Sequence, residues 1–176
     1  MSMIFLETSR LILRQWEQKD HEAYIKLNAD PEVMEFFPAV YTAEETLAQI
    51  GRLSGHINKY GYGFFAVERK DNHQFIGFTG LSHPGFESYF TPCVEIGWRL
   101  SKENWGQGFA TEAASACLNF GLGTLDIKKI YSFTSVDNKR SEKVMKKIGM
   151  SHAGFFDHPS VASGHPLKPH VLYQTV

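Results

Sequence analysis

Trp98–Ala113, WRLSKENWGQGFATEA, is the stretch of this chain that decides its fold. An apolar strand ends near Leu100, a polar loop follows, and Gly106 and Gly108 lead into a helix. Glycine has no Cβ, so the backbone at both positions can come close to a ligand. The first amides of a helix have no acceptor within the helix and lie at the positive end of its dipole. The stretch therefore predicts a site for a phosphate or pyrophosphate.

A Gly-x-Gly pair alone is equally typical of a tight turn that binds nothing. Two better-known nucleotide motifs are absent. The chain has no Gly-x-x-x-x-Gly-Lys-Ser/Thr P-loop, and the third glycine of a dinucleotide fingerprint does not follow Gly108. A dinucleotide-dependent oxidoreductase is thus a weak alternative.

Composition places the chain among ordinary globular proteins. Its 176 residues fit one domain, residues 1–176, and its formal net charge is -1. That charge creates no general attraction for nucleic acid or an anionic membrane. No run approaches the roughly 20 apolar residues that cross a bilayer. The two cysteines have no metal-ligand spacing, so we expect no metal and a cytoplasmic location.

Strand-like and helix-like patterns alternate along the chain. Strands are predicted at residues 11–16, 64–69, 75–80, 94–100, 130–136 and 170–174. Helices are predicted after Asp20, after the capping box of Thr42 and Glu45, from Ala110 to Phe120, and after Asp137 or Asn138. The result is an α+β layered fold, with a mixed, mostly antiparallel sheet flanked by about four helices.

Five stretches together resemble a known family. Residues 105–110, WGQGFA, are similar to the Arg/Gln-x-x-Gly-x-Gly/Ala loop of the GNAT superfamily of N-acetyltransferases. Four others match its RimJ/RimL-like branch, the ribosomal-protein alanine acetyltransferases, in order and spacing: residues 7–14 as an opening strand, 75–81, 95–98 and 136–150. The resemblance implies the acyl-CoA N-acyltransferase fold, whose sheet splays open after the fourth strand.

The resemblance also implies acetyl-CoA as cosubstrate. Trp98, Arg99 and Leu100 would supply backbone contacts to pantetheine. The pyrophosphate would be held by Gly106, Gln107, Gly108, Phe109, Ala110 and Thr111. Asn138 matches an asparagine that hydrogen-bonds the pantetheine arm, and Ser141 a serine near the thioester sulfur. Four cations flank this region and could meet the ribose phosphate: Lys102, Lys139, Arg140 and Lys143.

The catalytic groups depart from the family pattern. Many relatives carry a tyrosine acid on the last helix, where this chain has Met145, and some carry a glutamate base where it has Phe133. Ser141 is then the candidate acid, directly or through water. Glu95 is the candidate base, with His83, His165 and His170 as alternatives. For each base, an ordinary surface or packing role is the competing interpretation.

The sequence thus predicts acetyl transfer to a primary amine through a tetrahedral intermediate. The acceptor would be a protein N-terminal α-amine or a small-molecule amine, in a pocket lined by the first helices, near residues 36–38 and Tyr41, and by the C-terminal segment. The proline-rich segment 157–170 is either a substrate lid or a plain surface loop. The alternative is a catalytically weak CoA-binding regulatory or partner-binding domain. We expect a monomer or homodimer, with no nucleic-acid or membrane partner.

Overall fold

The computed structural model describes residues 3–176, which form one eight-stranded sheet flanked by four α-helices. The strand order is β1-β2-β3-β4-β5-β6-β8-β7, and only β5 and β6 run parallel. The strands are β1 (Ile4–Glu7), β2 (Leu11–Arg14), β3 (Phe64–Arg69), β4 (Phe75–Ser82), β5 (Val94–Leu100), β6 (Ile130–Ser135), β7 (Ser151–Asp157) and β8 (Pro169–Gln174). The predicted α+β class is confirmed.

The helices cover both faces of the sheet. They are α1 (His21–Ala29), α2 (Ala43–Tyr60), α3 (Phe109–Asn119) and α4 (Lys139–Lys147). On β4, the ring of Phe78 meets Tyr24 of α1, whereas Leu81 lies against Gly121, just after α3. Side chains three positions apart on a strand point to opposite faces. The sheet therefore separates α1 and α2 from α3.

Two strands differ from the prediction. Residues 7–14 are not one opening strand, because β1 ends at Glu7 and a turn leads into β2, which pairs with β1 antiparallel. The family's fourth strand is therefore β5 in this chain. Strand β7 was missed because its sequence, SHAGFFD, lacks an apolar alternation, and most of it is exposed at the sheet edge.

The predicted caps are present, with one correction. Thr42 and Glu45 form the capping box of α2, and the Asn138 side chain accepts from the Ser141 amide at the start of α4. Asp20 occupies the N-cap position of α1, but its side chain does not cap. Its carboxylate instead binds the buried Arg14 guanidinium at 2.7 and 2.8 Å. A buried charge needs a partner more than a helix end needs a cap.

No helix within residues 3–176 has both the length and the apolar character needed to cross a bilayer.

Candidate active site

The sheet opens between β5 and β6. These strands pair only at Val94 with Ile130 and at Glu95 with Tyr131, whereas β4 pairs with β5 as far as Leu100. Beyond that point β6 pairs with β8 alone. The β6-facing edge of residues 97–100 therefore has no strand partner, and a cleft of about 720 Å³ begins there.

This cleft collects almost all of the residues that the sequence selected. Those that line it are Glu95, Trp98, Arg99, Leu100, Gly106, Gly108, Phe109, Ala110, Thr111, Asn138 and Ser141. Gln107 does not line it. The Gln107 side chain donates to the Glu103 carbonyl at 2.8 Å, and its own carbonyl accepts from Arg10 at 3.0 Å. Since alternate residues of the turn face opposite ways, Gln107 lies on the outside.

One half of the cleft is made mainly of backbone. Gly106 and Gly108 have φ angles of 73° and 82°, in the left-handed region that favours glycine. No heavy atom of a non-neighbouring residue lies within 4 Å of the place where a Cβ on Gly106 would sit. Since α3 begins at Phe109, the amides of its first turn have no acceptor in the helix. This bare, positively polarised surface fits a diphosphate.

Side chains fix the start of α3. The Phe109 ring lies between two guanidinium groups, with Arg10 at 4.4 Å and Arg69 at 5.0 Å from its centroid. Glu112 in the first turn accepts from Thr8 at 2.6 Å and from the Arg10 amide at 2.9 Å. The N-terminal hairpin thus holds the glycine turn from outside the cleft.

Only some of the predicted cations face the cleft. Arg140 and Lys143 line it, and so does Lys147, which the sequence did not single out. Lys102 lies elsewhere and is paired with Glu32, and Lys139 is paired with Glu142. Neither Lys102 nor Lys139 lines the cleft, so neither is placed to meet a phosphate there.

Asn138 has a structural role and also faces the cleft. Its side-chain oxygen accepts from the Ser141 amide at 3.2 Å, and its side-chain nitrogen donates to the Thr134 hydroxyl at 2.9 Å. These bonds fix Ser141 at the first turn of α4, where it also lines the cleft. An amide nitrogen has two hydrogens, so Asn138 retains a second donor.

Glu95 is the acidic group of the cleft. Within residues 3–176 its carboxylate has no hydrogen bond or ion pair, and burial raises its pKa from the ordinary 4.5 to about 7. Desolvation has this effect because it penalises the charged form. A carboxylate with a pKa near 7 suits proton transfer at neutral pH.

Two histidines form part of the C-terminal wall. His158 and His170 line the cleft with ring centroids 4.9 Å apart, whereas His83 and His165 do not line it. Burial, reinforced by His170 and Lys168, lowers the pKa of His158 to about 4, and burial also lowers the pKa of His170. Both rings are therefore neutral at pH 7. Nothing in the sequence distinguishes His158 beyond its place in segment 157–170.

The two departures from the family pattern also lie in the cleft. Met145 is 1% exposed and Phe133 is half-buried, and both side chains line it. Among the described residues, no tyrosine does so. A side-chain proton donor on α4 is thus limited to Ser141 and the cationic groups.

The other half of the cleft lies under α1 and α2. Its walls come from the segment after α1, from α2 and from the sheet, and include Phe36, Phe37, Pro38, Gln49, Leu53, Phe64 and Phe78. Tyr41 is not among them, but its ring lies 5.8 Å from the guanidinium of Arg99, a residue that lines the cleft. No cluster of metal-ligating side chains occurs among residues 3–176.

Comparison with known proteins agrees with this geometry. Residues 10–151 match the family model for the acetyltransferase (GNAT) domain. The chain is 33% identical to the uncharacterized N-acetyltransferase YnaD of Bacillus subtilis, over 86% of this chain and 85% of that protein. The Bacillus anthracis GNAT-family acetyltransferase structure superimposes with a TM-score of 0.80 at 26% identity, covering 100% and 98% of the two chains.

Ribosomal-protein acetyltransferases share the fold. The ribosomal-protein-S5-alanine acetyltransferase of Vibrio fischeri superimposes with a TM-score of 0.75, covering 100% of this chain and 96% of that one, at 18% identity. The family match spans most of the chain and includes the glycine turn at Gly106 and Gly108. The chain therefore belongs to the GNAT family and is an N-acetyltransferase.

Proposed function

We propose that this protein transfers the acetyl group of acetyl-CoA to a primary amine, either a protein N-terminal α-amine or a small-molecule amine. The observation that carries the proposal is the cleft itself, in which a bare glycine turn and helix start adjoin an unpaired strand edge and a carboxyl with a pKa near 7. Each of these features meets one requirement of the reaction.

The backbone would bind and align the thioester substrate. The amides of residues 106–111 would bind its diphosphate, and the free edge of β5 at residues 98–100 would pair with its pantetheine amides. Asn138 would add a side-chain hydrogen bond. Alignment of the two reactants and an amide donor toward the developing oxyanion are large contributions to such a reaction, and neither needs a particular side chain.

Glu95 would accept the proton of the attacking amine, directly or through a water molecule. With a pKa of about 7, half of its carboxyl groups are ionised at neutral pH. Burial lowers the pKa of His158 to about 4, which makes it a much weaker base, and burial also lowers the pKa of His170. A base must be deprotonated but still basic at the working pH, and Glu95 meets both conditions.

Ser141 would protonate the leaving thiolate, directly or through water. It is held at the first turn of α4 and faces the cleft beside Met145. A thiol has a pKa near 8.5, so the thiolate leaves readily and needs little assistance. The missing tyrosine therefore does not argue against turnover.

An α-amine is a better acceptor for this site than a lysine side chain. An α-amine has a pKa of about 8 and lysine about 10.4, so the α-amine is far easier to deprotonate near neutral pH. A carboxylate with a pKa near 7 is a modest base and is better matched to the α-amine than to lysine. Rate profiles against pH for both amine types test this preference, and faster turnover of lysine-like amines would contradict it.

The test of the function is consumption of acetyl-CoA in the presence of amines. A panel of peptides, amino acids, polyamines and aminoglycosides should contain acceptors that release CoA well above the rate of hydrolysis alone. Binding of acetyl-CoA without turnover across the whole panel would instead favour a regulatory domain.

A further inference from the structure

Arg99 is a buried cation at the acceptor side of the cleft. It is 8% exposed, and its guanidinium donates to Asn28 of α1 at 2.7 Å and stacks on the Phe37 ring at 4.1 Å. Asn28 and Phe37 belong to the helical layer that lies opposite α3. Glu95 is four residues away on β5, so it shares a face with Arg99 at a spacing of about 13 Å along the strand.

No carboxylate neutralises Arg99. Within residues 3–176 it forms no ion pair, and its Nε atom is buried without a hydrogen-bond partner. Burial lowers its pKa, and the neighbouring Tyr24 and Tyr41 offset this only in part. Neither neighbour is a carboxylate, so the positive charge remains uncompensated.

The other buried arginine, Arg14, has the carboxylate partners that Arg99 lacks. Arg14 is 2% exposed, and both Asp20 and Glu68 bind its guanidinium at 2.7 to 2.8 Å. A buried charge is strongly destabilising without a partner. Arg14 has two carboxylates and a structural role. Arg99 has none, and it faces a cleft that a ligand can enter.

The charges that line the cleft disfavour a polycationic acceptor. Glu95 is its only carboxylate among the described residues, whereas Arg99, Arg140, Lys143 and Lys147 all line it. Arg140 is paired with Glu35 at 2.8 Å and stacks on Trp105 at 4.2 Å. A polyamine would therefore bring several positive charges against a buried, unpaired cation.

We propose that Arg99 binds a carboxylate of the acceptor, so that the enzyme acetylates amines that also carry a carboxylate. This proposal rests on the acetyltransferase function proposed above. The planar guanidinium matches the geometry of a carboxylate and stays charged when buried. One positive charge neutralises one carboxylate. A phosphate dianion would keep a negative charge beside Asn28, Phe37 and Tyr41, which are neutral.

The test compares acceptors in matched pairs that differ only in carboxylate and carboxamide, such as an amino acid with its amide and a dipeptide acid with its amide. The wild-type enzyme should favour the carboxylate member by at least tenfold in kcat/KM. Arg99→Gln should remove that preference through KM. Arg140→Gln, which removes a paired cation of the same cleft, should change the acetyl-CoA constant but keep the preference.

Three kinetic results would overturn the proposal. They are equal use of both members by the wild type, preference for a phosphorylated amine over the carboxylate, and survival of the preference in Arg99→Gln.

Two measurements do not depend on turnover. By calorimetry, N-acetylated amino acids should bind the CoA-saturated wild type more tightly than their amides do, and Arg99→Gln should lose the difference. If carboxylates bind in this way but no amine is acetylated, the proposed function fails and the carboxylate site stands. If amines are acetylated without carboxylate preference, the proposed function stands and the carboxylate site fails.

The second measurement is thermal stability. Arg99→Met should not lower Tm, and a fall of several degrees would assign Arg99 a structural role and overturn the proposal.

Discussion

The two halves of the cleft are built from different parts of the chain. The half at the start of α3 presents mainly backbone, with amides, two left-handed glycines and the free edge of β5. The half under α1 presents side chains, with Glu95, Arg99 and aromatic rings. A substrate that is common to a whole family, such as acetyl-CoA, can be bound by main-chain groups, which every residue has. A particular acceptor has to be selected by side chains. Three of the changes below perturb one half at a time, and the fourth perturbs the junction between them.

The largest expected effect is on the side-chain half. Glu95→Gln should lower kcat by about 10³-fold, because general base catalysis contributes roughly 10²–10⁴-fold. In the wild type, kcat should rise with pH through about 7, as the Glu95 carboxyl ionises, and this limb should vanish in the variant. Steady-state kinetics from pH 5.5 to about 9 measure both effects.

The control for this prediction is Glu44→Gln, which removes an exposed carboxylate on α2 and should change neither kcat nor the profile. If the limb near pH 7 persisted in Glu95→Gln and vanished in His170→Asn, the base would be His170.

The second effect is on the backbone half. Gly108→Val should weaken acetyl-CoA binding by about 100-fold, because losing two charge-assisted hydrogen bonds costs about 3 kcal/mol. A β-branched residue at φ 82° is strained, and its side chain would crowd the turn. Calorimetric titration with acetyl-CoA measures the change.

Gly149→Val is the matched control. Gly149 has a φ of 84°, lies after α4 and does not line the cleft. That variant should lose stability through the same backbone strain and keep its affinity for acetyl-CoA. Equal affinities in wild type and Gly108→Val would show that the glycine turn does not hold the diphosphate.

The third effect is on the free energy of unfolding and again concerns Glu95, in the side-chain half. Burial raises the pKa of Glu95 to about 7, so the folded state holds its proton more tightly than the unfolded state, where the pKa is near 4.5. The wild type therefore loses stability as pH rises through 7, and below about pH 4.5 it loses none. At one pKa unit per 1.4 kcal/mol, a rise from 4.5 to about 7 makes the full loss about 3 to 4 kcal/mol.

Glu95→Gln has no such charge, so at pH 8 it should unfold at higher denaturant concentration than the wild type. The two proteins should converge near pH 5. Urea unfolding followed by tryptophan fluorescence gives both values. A wild type that gained stability relative to Glu95→Gln between pH 5 and 8 would show that Glu95 is not desolvated.

The smallest effect is at the junction of the two halves. Ser141→Ala should lower kcat by about tenfold and leave acetyl-CoA affinity within about twofold, because a thiolate of pKa near 8.5 leaves with little help. Its amide would still donate to Asn138, so the cap of α4 is retained. Stopped-flow detection of released CoA measures kcat, and an unchanged kcat would remove Ser141 from the proton path.

The backbone half could be predicted from sequence because its signals are local. Gly106, Gly108 and the helix start are neighbours in the chain, and the cap at Asn138 lies three residues before the amide that it accepts from. Gln107 does not line the cleft, and spacing alone does not say which way each residue of a turn faces, so its part in binding the diphosphate stays a prediction. Strand β7 was missed because an exposed edge strand has no apolar alternation.

The side-chain half could be predicted only in part, because its contacts are remote in sequence. Arg99 was expected to offer its backbone, but its side chain meets Asn28, 71 positions earlier. His158 joins His170 only when β7 and β8 pair. Glu95 was selected for its place on β5, but its raised pKa is caused by burial, which the folded chain alone creates.

The central claim is that the glycine turn and the open edge of β5 bind the thioester substrate. A crystal structure of this protein soaked with CoA tests it most directly. We expect the diphosphate within hydrogen-bond distance of the amides of residues 106–111, and the pantetheine arm between β5 and β6 along residues 98–100. A diphosphate bound away from that turn, or CoA bound outside the cleft, would contradict the account.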